Sequence, residues 1–133
     1  MEKVSLQSAE LKQTQFSWAN MREINLAEGK LRDCNLNDAE LERANLSNAI
    51  VERGTFQNTK FRDADLRYAR FENLTLDSAD FSDARLWDVV FVNVEMKHVR
   101  LEGAEYTEQT KWPEGFDAKQ YGAILVDDEG LPI

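Results

Sequence analysis

The chain has little of what disulfide bonding, secretion or membrane insertion requires. Its 133 residues include one cysteine, Cys34, one histidine, His98, and only two prolines. A single cysteine excludes an internal disulfide, and the first residues contain no apolar segment of the kind found in secretion signals. No run approaches the roughly 18 apolar residues of a membrane-spanning helix. We therefore expect a cytoplasmic protein without a membrane contact.

Positive charge is also scarce. The sequence has 16 Lys and Arg against 25 Asp and Glu, a net charge of −9. Electrostatic binding of nucleic acid or of an anionic membrane requires an excess of basic residues. We expect no direct contact with nucleic acid, whereas a basic protein partner remains open.

What the chain does have is a period of five residues. Every fifth residue from Leu6 to Tyr106 is large and apolar, and the residue two positions earlier, from Val4 to Ala104, is small or apolar. This spacing fits neither an α-helix, where five residues advance about 140°, nor a flat strand, where an odd step changes face. Residues two apart do point the same way in an extended segment. Each pentad therefore predicts a short extended side with two inward residues, followed by a corner.

The spacing of charges indicates how many sides form one coil. With four sides, residue n lies beside residue n+20 at the interstrand distance of about 4.8 Å. Between residues 5 and 108 this spacing joins 13 pairs of opposite charge and four of like charge. Spacings of 15 and 25 show no such excess. Opposite charges are favoured on neighbouring strands, so the sequence predicts a four-sided coil.

These pentads resemble the pentapeptide-repeat family, whose consensus is A(D/N)LXX. The best matches are ANLSN at 44–48, ADLRY at 64–68 and ADFSD at 79–83. The resemblance implies an all-β fold, a right-handed quadrilateral β-helix solenoid of about five coils. We assign residues 1–108 to the β-helix and residues 109–133 to a C-terminal capping segment and tail, with a short helical or irregular cap.

Both ends of a solenoid expose a cross-section of the core and unpaired backbone. At the C-terminus we predict a short helical turn over 118–121 that ends at Gly122, with aromatic residues covering the last coil. The predicted cap residues are Trp112, Phe116, Asp117 and Tyr121. Residues 127–133 are predicted to be a frayed tail. Only residues 1–3 precede the repeat, so we expect a nearly open N-terminal end.

Groups that could carry chemistry are isolated. Cys34 falls in the small inward column between Thr14 and Gly54, where a packed thiol is favoured over a nucleophile. His98 points outward on the fifth coil. The sequence contains no metal-ligand spacing, catalytic triad or phosphate-binding loop. We predict that the protein is not an enzyme and uses no cofactor or metal.

One face of the coil carries few charges. Its polar side chains are typical either of structural hydrogen bonding between coils or of a binding surface, and Trp18 is its one projecting aromatic. The candidate interaction residues on it are Trp18, Asn35, Asn37, Thr55 and Gln57. We call this the amide face, which in full comprises Gln15, Ser17, Trp18, Asn35, Asn37, Asp38, Thr55, Gln57, Asn58, Thr75 and Ser78.

A second candidate surface is apolar. By phase Trp87, Val90 and Val92 point outward on one coil, and exposed apolar clusters commonly form interfaces. We call these three residues the 87–92 patch. We expect residues 122–126 to fold back over it, and a homodimer contact is the next alternative.

The predicted function is that of a rigid, non-catalytic protein–protein interaction module with an unidentified protein partner. A homodimer through one end or through the 87–92 patch remains open. The resemblance implies one alternative, because some family members imitate duplex DNA and protect type II topoisomerases from quinolones. This chain would then regulate or protect DNA gyrase, although its charges are interspersed rather than gathered in an acidic stripe.

Overall fold

The computed structural model describes residues 3–133, so Met1 and Glu2 of the predicted N-terminal end lie outside the described residues. The chain is the predicted four-sided β-helix, with one 3₁₀ helix at Ala118–Tyr121. Its strands are β1 (Glu10–Lys12), β2 (Lys30–Arg32), β3 (Ile50–Glu52), β4 (Arg70–Thr75), β5 (Arg85–Leu86), β6 (Val90–Glu95), β7 (Glu105–Tyr106) and β8 (Ile124–Leu125).

Two parallel sheets run along the rod. One has the order β1-β2-β3-β4-β6 and the other β5-β7-β8. The helix has about six turns, one more than expected. The additional turn arises because the C-terminal segment continues the ladder, with β8 pairing in parallel with β7.

The register along the rod is the predicted step of 20 residues. Glu10 pairs with Lys30, and Leu11 with Leu31. Isolated bridges keep the same step on the other faces, as between Asn25 and Asn45. Through the repeats each residue therefore lies beside the residue 20 positions later, which confirms that one coil has four sides, and only the pairings with the C-terminal segment differ, as between Glu105 and Ile124.

The inward columns form one continuous core. Large residues from Met21 to Leu101 are buried, and most have no exposed surface. The rings of Phe61 and Phe81 stack with centroids 5.0 Å apart. The inward Thr59 hydroxyl donates a hydrogen bond to the Leu36 carbonyl of the preceding coil at 2.8 Å. Burial of each large apolar side chain stabilises the rod by about 1.5–3 kcal/mol.

In the pentad 26–30 every backbone N–H has a partner, as buried peptide groups require. In residues 26–30, two N–H groups donate to the next coil, one to the preceding coil, one across the corner and one to a side chain. These bonds run from Leu26 to Asn45 O, Glu28 to Ser47 O, Lys30 to Ala9 O, Gly29 to Leu26 O and Ala27 to Asn25 Oδ1, with lengths of 2.7–3.0 Å.

The corners require a left-handed residue in each pentad. Nineteen non-glycine residues at this position, from Ser8 to His98, have φ between 51° and 66°. Nine of them are Asn or Asp, which adopt this region more readily than other side chains. The left-handed backbone costs roughly 1 kcal/mol per residue. Most of these residues donate their N–H to the next coil, as Asn48 does to Arg67 O at 2.9 Å, and this bond offsets the strain.

The Asn or Asp of the motif has a defined role that the sequence analysis missed. Six residues of these types stand between the small and large inward positions. Each accepts a hydrogen bond from the backbone N–H two residues later, at 2.9–3.2 Å. The six are Asn20, Asn25, Asn35, Asn45, Asp65 and Asp80. Their recurrence at one position of the pentad was the available signal, since short polar side chains favour such local bonds.

The first coil is less enclosed than the others. Leu6, Leu11 and Phe16 belong to the large inward column but are only half-buried, and Val4 is 56% exposed. Among residues 3–133, no strand pairs with the outer edge of β1. The prediction of an open N-terminal end therefore holds for the described part of the chain.

Asn25→Ala should lower the free energy of unfolding by about 1 kcal/mol, because the Ala27 N–H then loses its acceptor. Asn25→Asp is the matched control, since it keeps an acceptor and its ladder neighbours Ser5 and Asn45 are uncharged. Chemical denaturation measures both variants. Equal stability of Asn25→Ala and the wild type would contradict the assigned role.

Candidate functional site

The C-terminal cap has the predicted local structure. The Asp117 side chain accepts a hydrogen bond from the Lys119 N–H at 3.1 Å and begins the 3₁₀ helix. Gly122 ends it with φ of 89°, and its N–H donates to the Lys119 carbonyl. The left-handed conformation explains why glycine stands at this position.

An aromatic column continues the core into the cap. The rings of Phe91 and Trp112 stack at 5.3 Å, Trp112 and Phe116 at 5.3 Å, and Phe116 and Tyr121 at 4.9 Å. Tyr106 meets Trp112 edge-on, and burial, followed by the nearby Asp117 carboxylate, raises the pKa of its phenol. These residues close the C-terminal end of the core.

The prediction of a frayed tail is wrong. The Asp127 carboxylate accepts hydrogen bonds from the Glu129 and Leu131 N–H groups, both at 2.9 Å. Ile133 returns to donate to the Leu125 carbonyl at 3.1 Å. The tail is a hairpin because one side chain organises its turn.

This hairpin reaches the 87–92 patch. A Cβ placed on Gly130 would lie 2.9 Å from the Trp87 ring, so the tail backbone packs directly against the indole. The Arg67 guanidinium lies 5.6 Å from the Trp87 ring centre, and the Trp87 indole N–H donates to Glu105 at 3.0 Å.

The other two residues of the 87–92 patch differ in their surroundings. Val90 bridges to Lys111, whereas Val92 is 39% exposed. Residues 122–126, the expected cover, include β8 and continue the ladder beside β7. Gly130 and Lys111 contact the patch in their place. Trp87, Val90 and Val92 thus do not form one continuous exposed surface.

The amide face is bonded from coil to coil. Asn35 Oδ1 accepts from the Asn37 N–H at 2.9 Å and from the Thr55 hydroxyl at 3.2 Å. Asn37 Oδ1 accepts from the Gln57 N–H in the next coil at 2.9 Å. These amide oxygens hold the face flat, while the Thr55 and Gln57 side chains remain exposed.

Trp18 stands apart from these bonds. Its side chain is 76% exposed, its φ is 64°, and its backbone N–H donates to the Asn37 carbonyl at 3.1 Å. At this corner the ladder uses only backbone hydrogen bonds, so a large aromatic side chain adds little to the stability of the rod. Tyr68 occupies the same position of its pentad, at a different corner of the rod, and is 53% exposed with φ of 66°.

Most of the 13 opposite-charge pairs are neighbours without close contact. Five of them approach within 4.0 Å: Glu10–Lys30, Arg22–Glu42, Glu23–Arg43, Arg32–Glu52 and Asp33–Arg53. Other cations take a different partner, as when Arg62 contacts Asp80 at 3.8 Å. Exposed pairs of this kind contribute about 0–1 kcal/mol each, so they support the register more than the stability.

Reactive side chains do not converge in the described part of the chain. Cys34 is buried, with its sulfur 3.5 Å from the Leu11 and Arg32 carbonyls, and His98 is exposed. Within residues 3–133 no group of three or more His, Cys, Asp or Glu could hold a metal ion. The same residues include no helix with the length and apolar character to cross a bilayer.

Family models match most of the chain. One described as a pentapeptide repeat region matches residues 4–81, and one described as pentapeptide repeats in eight copies matches residues 69–105. Among curated proteins, none matches the chain.

Two solved structures are similar in fold, and a third is less similar. The pentapeptide repeat protein Rfr23 from the cyanobacterium Cyanothece 51142 is 20% identical with a TM-score of 0.60, over 83% of this chain and 88% of that one. The pentapeptide repeat protein alr5209 from Nostoc PCC 7120 is 23% identical with a TM-score of 0.54, over 92% and 85%. QnrB1, a plasmid-mediated fluoroquinolone resistance protein, is 14% identical with a TM-score of 0.39, over 94% and 87%.

Deleting residues 127–133 should uncover the Trp87 ring and increase the binding of an apolar fluorescent dye. Gly130→Ala should have a smaller effect in the same direction, because its Cβ would meet the ring at a left-handed position. Asp128→Ala is the control, since this tail side chain is exposed. Unchanged dye binding after the deletion would contradict the covering role of the tail.

Proposed function

Because the chain belongs to the pentapeptide-repeat family, we propose that it acts as a rigid, non-catalytic rod that binds a protein partner through Trp18 and the adjoining amide face. The packed interior supports this proposal. Inward side chains fill the coils, so ligands of every kind meet the outside of the rod. Function on such a fold depends on particular surface residues.

The observation that carries the proposal is the position of Trp18. Asn or Gly would fit a left-handed corner at lower energy, yet a tryptophan stands there with 76% of its side chain in solvent. Tryptophan is enriched among the residues that contribute most to protein interfaces. A large exposed ring beside a flat, nearly uncharged surface is the arrangement that a protein partner can cover at low desolvation cost.

Trp18→Asn should raise the free energy of unfolding by about 0.5–1 kcal/mol, because asparagine tolerates the left-handed corner, and should abolish partner binding. Tyr68→Asn is the matched control, because Tyr68 has the same left-handed pentad position and the same relief of strain on a different part of the rod. Thermal unfolding measures stability, and affinity capture from the native host followed by mass spectrometry measures binding.

Wild type and Tyr68→Asn should capture the same proteins, and Trp18→Asn should lose them. Equal capture by all three proteins would contradict a binding role for Trp18. The absence of any captured protein with the wild type would contradict the proposed function.

The alternative, protection of DNA gyrase by imitation of DNA, is supported by the net charge of −9. Against it, carboxylates alternate with Arg and Lys along the rod, and several are paired, as Glu42 is with Arg22 at 3.6 Å. Duplex DNA presents uninterrupted negative charge, one unit per about 1.7 Å. The paired carboxylates favour the generic interaction module.

In a supercoiling assay with purified gyrase, we expect no inhibition and no relief from a quinolone at micromolar concentrations of this protein. An established gyrase-protecting protein is the positive control. Protection by the wild type that is lost when the acidic side chains are neutralised would establish the alternative in place of the generic module.

A further inference from the structure

The N-terminal edge of the longer sheet lacks a neighbour in the described residues. β1 pairs only with β2 on its inner side. At the other end of the same sheet, Lys111 bridges to Val90, and the Phe91 N–H donates to the Lys111 carbonyl at 2.9 Å. In the described residues the β6 edge thus has a hydrogen-bonded neighbour, whereas the outer edge of β1 has none. An unpaired edge is a template for another strand.

Apolar surface is exposed at this same end. Val4 is 56% and Trp18 76% exposed, and both lie in the first coil. Leu6, Leu11 and Phe16 are half-buried, whereas the residues stacked above them, Leu26, Leu31 and Leu36, are at most 1% exposed. The first coil therefore shows the cross-section of the core.

The sequence of this coil reads as a chemical palindrome about Leu11. At equal distances before and after Leu11, the sequence has either two residues of opposite charge or two residues of the same type, which is hydroxyl, amide or apolar. The matched pairs are Glu10 and Lys12, Ser8 and Thr14, Gln7 and Gln15, Leu6 and Phe16, Ser5 and Ser17, and Val4 and Trp18. Ala9 and Gln13 differ in character, and the pairs Val4 with Trp18 and Ser8 with Thr14 each join an inward position to an outward corner.

We propose that the partner at Trp18 is a second copy of this chain, joined N-terminal end to N-terminal end by antiparallel pairing of the two β1 edges about a two-fold axis through Leu11. Residue n then lies opposite residue 22−n of the other copy. Glu10 meets Lys12 twice, Leu6 meets Phe16, and the backbone of Trp18 lies opposite that of Val4. This inference rests on the proposed function in taking Trp18 as an interaction residue.

The charges select this register. A two-fold axis through Glu10 would place two Glu10 carboxylates against each other, and like charges directly opposite are unfavourable. The second coil does not have the same property, because an axis through Leu31 would oppose Lys30 to Arg32. Two-fold symmetry is the usual arrangement of a homodimer and requires a self-complementary surface of this kind.

The charges around Lys12 independently support the proposed dimer. Its neighbour in the ladder is Arg32, a like charge. Among residues 3–133, no carboxylate lies within 4.0 Å of the Lys12 ammonium, whereas Glu10 contacts Lys30 at 3.8 Å. In the proposed dimer the Glu10 carboxylate of the second copy supplies the missing partner.

The charge pair allows a test by exchange. Lys12→Glu and Glu10→Lys should each weaken the dimer about tenfold, because two attractive pairs become two repulsive ones. The double variant Glu10→Lys/Lys12→Glu should restore the wild-type dissociation constant. Asp128→Lys, a charge reversal at the other end of the rod, is the control and should leave it unchanged.

Sedimentation equilibrium of the purified full chain, from about 10 µM to about 1 mM, gives the dissociation constants. Thermal unfolding separates dimer loss from misfolding. Lys12→Glu should unfold no more easily than the wild type, since the new carboxylate lies beside Arg32, yet its dimer should be weaker.

A wild-type protein that stays monomeric throughout this range would overturn the inference, and so would a double variant that fails to recover. A monomeric protein that still captures a different host protein through Trp18 would leave the proposed function standing. A dimer whose capture experiment yields only endogenous copies of the same chain would support the inference and name the partner.

Discussion

The structure depends on the hydrogen-bonded ladder that places each residue beside the residue 20 positions later. In the pentad 26–30 three of the five N–H groups reach a neighbouring coil, and the fourth and fifth are satisfied locally by the corner and by the Asn25 side chain. The corner needs a left-handed residue that costs free energy in isolation. A coil by itself would not form, because the bonds that offset this strain come from its neighbours. Stability is therefore a property of stacked coils, as in other solenoids.

The same register explains why the core of the described residues is apolar and why the exceptions on the surface are informative. Stacked identical positions fill the core with large and small apolar residues, and they arrange polar residues in outward ladders that satisfy one another. Most surface residues are thus explained by the ladder. Trp18 is not, since its left-handed corner is part of the fold but nothing in the packing requires a large, exposed aromatic side chain there. An unexplained residue on a repetitive fold is a stronger indication of binding than a repeated one.

The two ends of the rod differ in how the core and the sheet edge are covered. At the C-terminus the aromatic column from Phe91 through Trp112 and Phe116 to Tyr121 continues the core into the cap, and the tail hairpin packs on Trp87. At the N-terminus the described residues leave the core section and the β1 edge uncovered. A self-complementary first coil would cover both with a second copy. The rod would then be closed at one end by its own chain and at the other by symmetry.

The sequence by itself determined the inward columns, the four sides, the register and the local form of the cap, including Asp117 and Gly122 as its bounds. These features follow from periodicity or from short-range signals, because a constant step makes every contact in the ladder the same distance apart in sequence. The capping role of Asn25 and its equivalents was also present in the sequence but was not recognised. Only the tertiary structure decided the tail hairpin, the contact of Gly130 with Trp87 and the salt bridge of Arg62 with Asp80. Such contacts join residues with no periodic relation, or long side chains with several acceptors in reach, so their outcome depends on where the folded backbone places them.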